Sequence, residues 1–116
     1  MHARRSFTVA SVLAMLSAAS RVSATPVAIP IGHVTTIEVT YMPTTLRFFL
    51  DTGDGTCPIG TPLLYGDATS ADKVKSAYAA VLAAFLSGKR ISAIYDTTNV
   101  SSQPGSCVLT YLYATN

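Results

Sequence analysis

The first 24 residues constrain the fold most, because they have the pattern of a signal peptide and are expected to be absent from the part that folds. A basic start at Arg4-Arg5 precedes an uncharged, mostly apolar run from Phe7 to Ala19. Val22-Ser23-Ala24 follows, and signal peptidase accepts small residues at the first and third positions before the bond it cuts. A retained membrane anchor is the alternative, but this run has 13 residues, whereas a spanning helix needs about 20. We therefore predict that residues 1–24 are a signal peptide cut after Ala24, that the product is secreted or periplasmic, and that it does not insert stably into a membrane.

Removing this segment changes the sign of the net charge. The whole chain has eight Lys and Arg against six Asp and Glu, a net charge of +2. Arg4, Arg5 and Arg21 leave with the signal peptide, so five basic residues remain against the same six acids and the net charge becomes −1. Nucleic acids and anionic membranes are bound through clustered Lys and Arg. The mature chain is therefore not expected to bind nucleic acid.

The cysteine content predicts a covalent cross-link. After cleavage 92 residues remain, enough for one domain but at a length where an additional constraint helps stability. Cys57 and Cys107 are the two cysteines of the chain, and an oxidising compartment favours their pairing. Zinc would need more ligands than these thiols and His33 supply, and free reactive thiols are the weaker alternative. We predict a Cys57–Cys107 disulfide, no metal site and no cofactor.

Alternation of apolar and polar residues predicts five strands. Residues 25–33 contain Pro26 and Pro30 and are predicted to form an extended N-terminal arm, and residues 34–116 to form the domain. Pro62 cannot donate a ladder hydrogen bond, which favours an edge position for the third strand. The predicted strands are Val34–Tyr41, Thr45–Leu50, Thr61–Tyr65, Arg90–Asp96 and Val108–Ala114.

The same alternation assigns faces to two of these strands. In the second strand, Leu46, Phe48 and Leu50 are predicted to point inward. In the last strand, a strict period of two places Leu109, Tyr111 and Tyr113 on one face.

A single helix is predicted between the third and fourth strands. Ser70 is a suitable N-cap, and Gly88 is a suitable stop. Four alanines lie on the side opposite the apolar face, where a solvated helix usually carries Glu or Lys. Either the helix is covered on more than one side, by its own sheet or by neighbouring subunits, or the alanines serve helix propensity. The predicted inward face is Val74, Ala77, Tyr78, Val81, Leu82 and Phe85, and the opposite side holds Ala79, Ala80, Ala83 and Ala84.

The resulting order, β-β-β-α-β-β, is that of the OB-fold, so the predicted class is mainly β with one helix, an OB-fold-like five-stranded barrel closed by one disulfide. The run from Lys75 to Tyr95 (KSAYAAVLAAFLSGKRISAIY), with one Cys before the helix and one before the last strand, resembles the B subunits of pentameric bacterial toxins, especially the subtilase and pertussis-like group. The resemblance covers Val34 to Thr115. It implies a ring of five barrels, helices lining a central channel, and loops that bind cell-surface glycans. None of that family's sugar-contacting residues is carried over to this sequence.

Asp51-Thr52-Gly53, preceded by apolar residues, resembles the active-site triplet of aspartic proteases. Position 54 is Asp where those enzymes have Ala or Ser, and a second acid there would disturb a pair of carboxylates that must share one proton. His33 has no neighbour along the sequence that suggests a catalytic triad. We predict that this segment is a turn that ends a strand and that the chain has no catalytic residues. An enzyme that uses Asp51 is kept as an alternative, after the two binding functions given below.

Tyrosines give the best indication of a binding site. The chain has six Tyr and no Trp, and an aromatic ring can stack on the C–H face of a sugar while its hydroxyl reaches a sugar oxygen. Burial in the core is the alternative for each ring. The candidate ligand-binding residues are Tyr41, Tyr65, Tyr95, Tyr111 and Tyr113.

These observations predict an exported, non-enzymatic binding domain. Its expected ligand is a cell-surface glycan, and its expected assembly is a homo-oligomer, for which the resemblance implies a pentamer. The alternative is a secreted or periplasmic module that binds another protein, such as an inhibitor or an envelope component.

Overall fold

The computed structural model describes residues 25–67, 69–97 and 105–116. The predicted signal peptide, residues 1–24, lies outside the described residues. The described part is mainly β, with six strands and one helix. In chain order these are β1 Pro26–Ala28, β2 Gly32–Glu38, β3 Thr45–Leu50, β4 Leu63–Gly66, α1 Ala71–Ser87, β5 Arg90–Asp96 and β6 Cys107–Thr115.

Five of the strands pair in a closed ring. They run from β2 through β3, β4, β6 and β5 back to β2. All are antiparallel except β4–β6, which is parallel. Because β6 occupies one edge of β5, both β1 and β2 lie along the other edge, one after the other.

The N-terminal arm belongs to the sheet. Its residues 26–28 pair with Asp96, Tyr95 and Ile94 of β5. Ile29 is buried, and its amide donates to the carbonyl oxygen of Ala93 at 2.9 Å. The segment contributes a strand and a core residue to the domain.

One hydrophobic core joins the strands to the helix. In β3, Leu46, Phe48 and Leu50 are buried as predicted. Their partners in the core come from every other element except β1, which supplies the half-buried Val27 at its margin. The buried set is Ile29, Val34, Leu46, Phe48, Leu50, Cys57, Leu63, Val74, Val81, Ala84, Ile91, Ala93, Tyr95, Cys107 and Leu109.

The predicted facing of the last strand is wrong beyond Leu109. Tyr95 and Ile94 are consecutive in β5, yet they pair with Leu109 and Tyr111, so Thr110 is an extra residue in β6. An extra residue reverses the direction of every side chain that follows it. Leu112 therefore packs against the core, and Tyr111 and Tyr113 are exposed.

Two other strands differ from their predictions. β2 ends at Glu38, and Tyr41 lies in the following turn. β4 starts after Pro62 and pairs with both β3 and β6, so it is not an edge strand. The proline precedes the strand, where its missing N–H costs nothing, and its carbonyl accepts the amide of Cys107 at 2.9 Å.

The helix has the predicted ends. The Ser70 hydroxyl accepts the amide of Lys73 at 3.3 Å, and Gly88 closes the helix with φ of 73°. Among the described residues, no helix has the length and hydropathy needed to cross a membrane.

The inward face of α1 differs from the prediction near its end. Val74 and Val81 are buried as expected, but the next buried residue is Ala84 and not Phe85. Phe85 and Leu86 are exposed, as are Ala79 and Ala83. Within one chain, the alanine side of α1 is covered only in part.

The predicted disulfide is present. Cys57 and Cys107 are bonded, both are buried, and their Cα atoms lie 6.1 Å apart. The bond ties the loop after β3 to the first residue of β6, which is also the residue paired with Leu63 of β4. A buried disulfide is consistent with a protein that matures in an oxidising compartment.

Candidate functional site

Tyr95 is the one predicted ligand residue that lies in the core. It is 3% exposed, and its hydroxyl donates to Asp54 at 2.8 Å. Burial and this contact with a carboxylate raise the pKa of Tyr95. Its ring and hydroxyl are thus both occupied by the protein, so we leave Tyr95 out of the candidate site.

The other four predicted tyrosines reach the surface in two separate regions. Tyr41 lines a cleft on the outer side of β3, β4 and β6. Tyr65 and Tyr111 line a second cleft, beside the first half of α1. Tyr113 contacts Tyr111, with ring centres 5.8 Å apart and planes tilted by 57°. The structure therefore divides the tyrosines between two sites.

The larger of these sites, which we call the outer cleft, has a volume of about 740 Å³. Its lining combines an exposed aromatic ring, hydroxyls, a cation and a carboxylate with apolar side chains. The lining residues are Tyr41, Pro43, Thr44, Thr45, Arg47, Leu64, Gly66, Asp67, Ala71 and Val108.

One wall of the outer cleft is a turn between β2 and β3 that fixes Tyr41. The carbonyl oxygen of Tyr41 accepts hydrogen bonds from the amides of Thr44 and Thr45, at 3.1 and 3.0 Å. The Thr44 hydroxyl also donates to it, at 2.8 Å. The Met42–Pro43 peptide bond in this turn is cis. The Tyr41 side chain is 52% exposed, so a well-anchored backbone presents a ring with a free face.

The floor of the outer cleft is a row of outward side chains on three strands. Arg47 pairs in register with Leu64 of β4, which pairs with Val108 of β6. On its other side Arg47 pairs with Glu38, and its Nε lies 3.0 Å from a Glu38 carboxylate oxygen. The guanidinium also lies over Phe49, 5.9 Å from the ring centre. These contacts hold the cation in place along the floor.

The opposite wall is the segment that leads from β4 into α1. Asp67 accepts hydrogen bonds from the amide and the hydroxyl of Thr69, at 2.9 and 2.6 Å. Lys73 Nζ lies 3.5 Å from its other oxygen. The Thr69 hydroxyl and amide, with smaller help from Lys73, hold the pKa of Asp67 below its ordinary value. Asp67 is therefore an ionised hydrogen-bond acceptor at neutral pH.

The second site, which we call the β6 groove, has a volume of about 450 Å³. It begins where β4 ends and runs between β6 and α1. Small side chains on the helix leave it open. The lining residues are Tyr65, Ser70, Asp72, Lys73, Ser76, Ala77, Ala80, Tyr111 and Leu112.

His33 does have a carboxylate neighbour, contrary to the sequence-based view. The His33 amide donates to Asp51 at 2.7 Å, and its ring Nδ1 lies 3.3 Å from the other Asp51 oxygen. Thr52 donates its hydroxyl to the Pro30 carbonyl. A Cβ on Gly32 would lie 2.7 Å from Asp51 Oδ1, so glycine is required for this approach. The Asp-Thr-Gly segment thus fastens the end of β3 to the start of β2.

The sequence did not single out Thr44, Thr45, Arg47 or Asp67 as site residues. Each is explained by its local position alone, which is the turn for Thr44, β3 for Thr45 and Arg47, and the segment just before α1 for Asp67. Asp67 alone carried a signal, because an acid three residues before an N-cap often accepts local amides. The described residues contain no group of three or more His, Cys, Asp or Glu that could hold a metal ion.

Comparison of the chain with protein-family models, with curated proteins and with solved structures gave no match.

Proposed function

We propose that this chain is an exported, non-enzymatic binding domain of the OB-fold type that takes a carbohydrate in its outer cleft. The observation that carries the proposal is the outer cleft itself, in which a half-exposed tyrosine stands opposite an ionised aspartate above a floor containing arginine.

The strand order supports the OB-fold part. Five strands pair in the order β2-β3-β4-β6-β5, with α1 between β4 and β5 in the chain. The OB-fold is a five-stranded Greek-key barrel that binds oligosaccharides and oligonucleotides on the face of its second and third strands and on adjacent loops. In this numbering those strands are β3 and β4, which provide Arg47 and Leu64 to the outer cleft.

The chemistry of the cleft supports a sugar. Tyr41 offers an apolar ring face and a hydroxyl, and Thr44 and Thr45 offer hydroxyls close by. Asp67 accepts hydrogen bonds and Arg47 donates them. A pyranose presents the complementary surface, with an apolar C–H face and a rim of hydroxyls that both donate and accept.

The charge balance supports a neutral sugar over an anionic one. Glu38 neutralises Arg47, and Lys73 neutralises Asp67. Neither wall carries an uncompensated charge that would favour a carboxylate or phosphate ligand. The mature net charge of −1 adds no long-range attraction for anions.

A glycan array with the mature protein tests the proposal, using Tyr41→Ala and Tyr113→Ala as a matched pair. Both rings are exposed, but Tyr113 lies outside the outer cleft. We expect Tyr41→Ala to weaken binding by about tenfold or more, corresponding to about 1.4 kcal/mol, and Tyr113→Ala to leave it unchanged. Equal losses in the two variants, or no binding to any sugar, would contradict the proposed site.

The proposal includes assembly into a homo-oligomer, with five copies expected from the resemblance. Ala79, Ala83, Phe85 and Leu86 form an uncharged, exposed patch on α1, and Leu86 is 75% exposed. Apolar patches of this kind are commonly covered by a partner. Light scattering of the unaltered protein should give a mass that is a multiple of the chain mass. The Leu86→Glu variant, which places a charge in the patch, should give a smaller mass. A monomeric mass for the unaltered protein would remove this part of the proposal.

A secreted protein-binding module is the second candidate. It is favoured by one observation, the unpaired edge of β6 considered in the next subsection. Capture of an envelope protein that free sugar does not displace would support this candidate over carbohydrate binding.

A further inference from the structure

The last strand pairs with β4 at its start and with β5 along the rest of its length. Within the described residues, β4 pairs with Cys107 and Val108 and no further. On the other edge, β5 pairs with β6 from Leu109 to Thr115. Beyond Val108, β6 therefore has one neighbouring strand.

A strand with one neighbour presents unused backbone groups on its free edge. In an antiparallel pair, every second residue directs its N–H and C=O away from the partner. No hydrogen bond from another element of the described chain reaches these backbone groups between residues 110 and 115. Such an edge is a template for one more strand.

The β6 groove lies along this free edge. Tyr65, at the end of β4, marks where the neighbouring strand stops, and Tyr111 and Leu112 mark the continuation of β6. Across the groove, α1 presents Ser76, Ala77 and Ala80. Neighbouring strands lie about 4.8 Å apart, and a strand added to β6 would face these small side chains of the helix.

The composition of the edge favours pairing. Residues 107–115 carry no charge and no proline, and they are rich in Tyr, Leu and Thr. Natural proteins protect free edges with charges, prolines or a covering element. Charges and prolines are absent from this stretch, so the edge is suited to accept a partner.

We propose that the β6 groove binds an extended segment of a partner polypeptide, which adds to β6 as a strand in line with β4. A polypeptide is the occupant because it alone supplies amide donors and carbonyl acceptors at strand spacing. Alternate side chains of the segment would point toward Tyr65, Ala77 and Leu112, so the partner carries uncharged, apolar residues at every second position. This site is distinct from the outer cleft.

The test uses a phage-displayed library of seven-residue peptides, selected on the full mature protein. We expect selected peptides to share apolar residues at alternate positions. Ala80→Arg, which fills the groove from the helix side, should weaken their binding by about tenfold or more. Ser87→Arg is the matched control, because Ser87 is exposed on the same helix but lines neither the groove nor the apolar patch that includes Leu86.

Backbone pairing is checked separately from side-chain contacts. Peptides methylated on alternate backbone nitrogens should lose binding in one register and retain it in the other. Amide exchange of residues 110–115 should slow when the peptide is added. The proposal is overturned if the Ser87 and Ala80 variants bind the peptides equally well, if both methylated series keep their binding, or if no peptide can be selected. Protection that rises with protein concentration alone would assign the edge to a second copy of this chain and would also overturn it.

Discussion

The Asp54 carboxylate joins two parts of the chain through three hydrogen bonds. It accepts the amides of Thr56 and Cys57, at 2.9 and 2.6 Å, and the Tyr95 hydroxyl at 2.8 Å. Burial opposes its ionisation, but the Cys57 amide, the Tyr95 hydroxyl and the Thr56 amide outweigh burial and lower the pKa of Asp54. One side chain thus shapes the loop before the disulfide and fixes it to β5.

The lowered pKa predicts how stability responds to acid. A carboxyl that ionises more readily when folded stabilises the native state above its unfolded pKa, about 3.9. That contribution disappears as the pH falls through the lower pKa of the folded state. Asp54→Asn should lower the free energy of unfolding by about 1–2 kcal/mol at pH 7. It should also flatten the decrease below about pH 4, as measured by urea denaturation.

The Asp54→Asn variant is compared with the unaltered protein over the same pH range. If stability decreases equally in the two proteins below about pH 4, Asp54 has no special role in acid stability.

At the scale of elements, α1 shows how packing decides between chemically equal positions. Ala83 and Ala84 are adjacent, and the sequence placed both on the outer side of the helix. In the structure Ala84 is 2% exposed, and Ala83 faces solvent. Ala84→Leu should destabilise the fold by about 1–3 kcal/mol through overpacking. Ala83→Leu should change stability by less than about 0.5 kcal/mol. Thermal and urea denaturation of the two variants compare these values directly, and similar losses in both would mean that the helix is rotated relative to this description.

The sequence predicted those elements whose signals are local. Alternation in β3 specified Leu46, Phe48 and Leu50 because nothing interrupts that strand. Ser70 and Gly88 specified the ends of α1 because capping involves only adjacent residues. The extra residue Thr110 left no mark in the sequence, since a bulge is defined by its partner strand. The exposure of Tyr111 and Tyr113 could not be assigned to the correct side without it.

The candidate site was harder to predict than the fold, for a similar reason. Tyr41 was identified by residue type alone. Arg47, Leu64 and Val108 meet only because β3, β4 and β6 pair in one particular register. Asp67 faces them because β4 turns into α1 at that level. No window of sequence contains these neighbours together, so the outer cleft emerges only when the whole sheet is assembled.

At the scale of the whole molecule, the disulfide joins regions that the core also joins. Cys57 precedes β4, Cys107 begins β6, and the parallel β4–β6 contact spans only two paired positions. The pairing between β2 and β5 also spans two positions, and every other pairing in the ring is longer. The covalent bond therefore supports the sheet at one of its two shortest pairings.

Removing this bond tests how far the core alone can hold the domain together. The bridge closes a loop with a sequence separation of 50 residues, for which the chain-entropy model gives about 4 kcal/mol. Stabilities of small domains are only about 5–15 kcal/mol, so the variant with Ser at positions 57 and 107 should be close to its unfolding threshold at 25 °C. Guanidinium denaturation should show a much lower midpoint. Hydrogen exchange of the backbone amides at positions 63, 64, 107 and 108 should become faster at a lower denaturant concentration than exchange of the amides in β3.

A control with both cysteines intact but reduced should behave like the double variant, because the same constraint is lost. If both reduced and substituted proteins keep the midpoint of the oxidised form, the core and not the cross-link determines the stability of this fold.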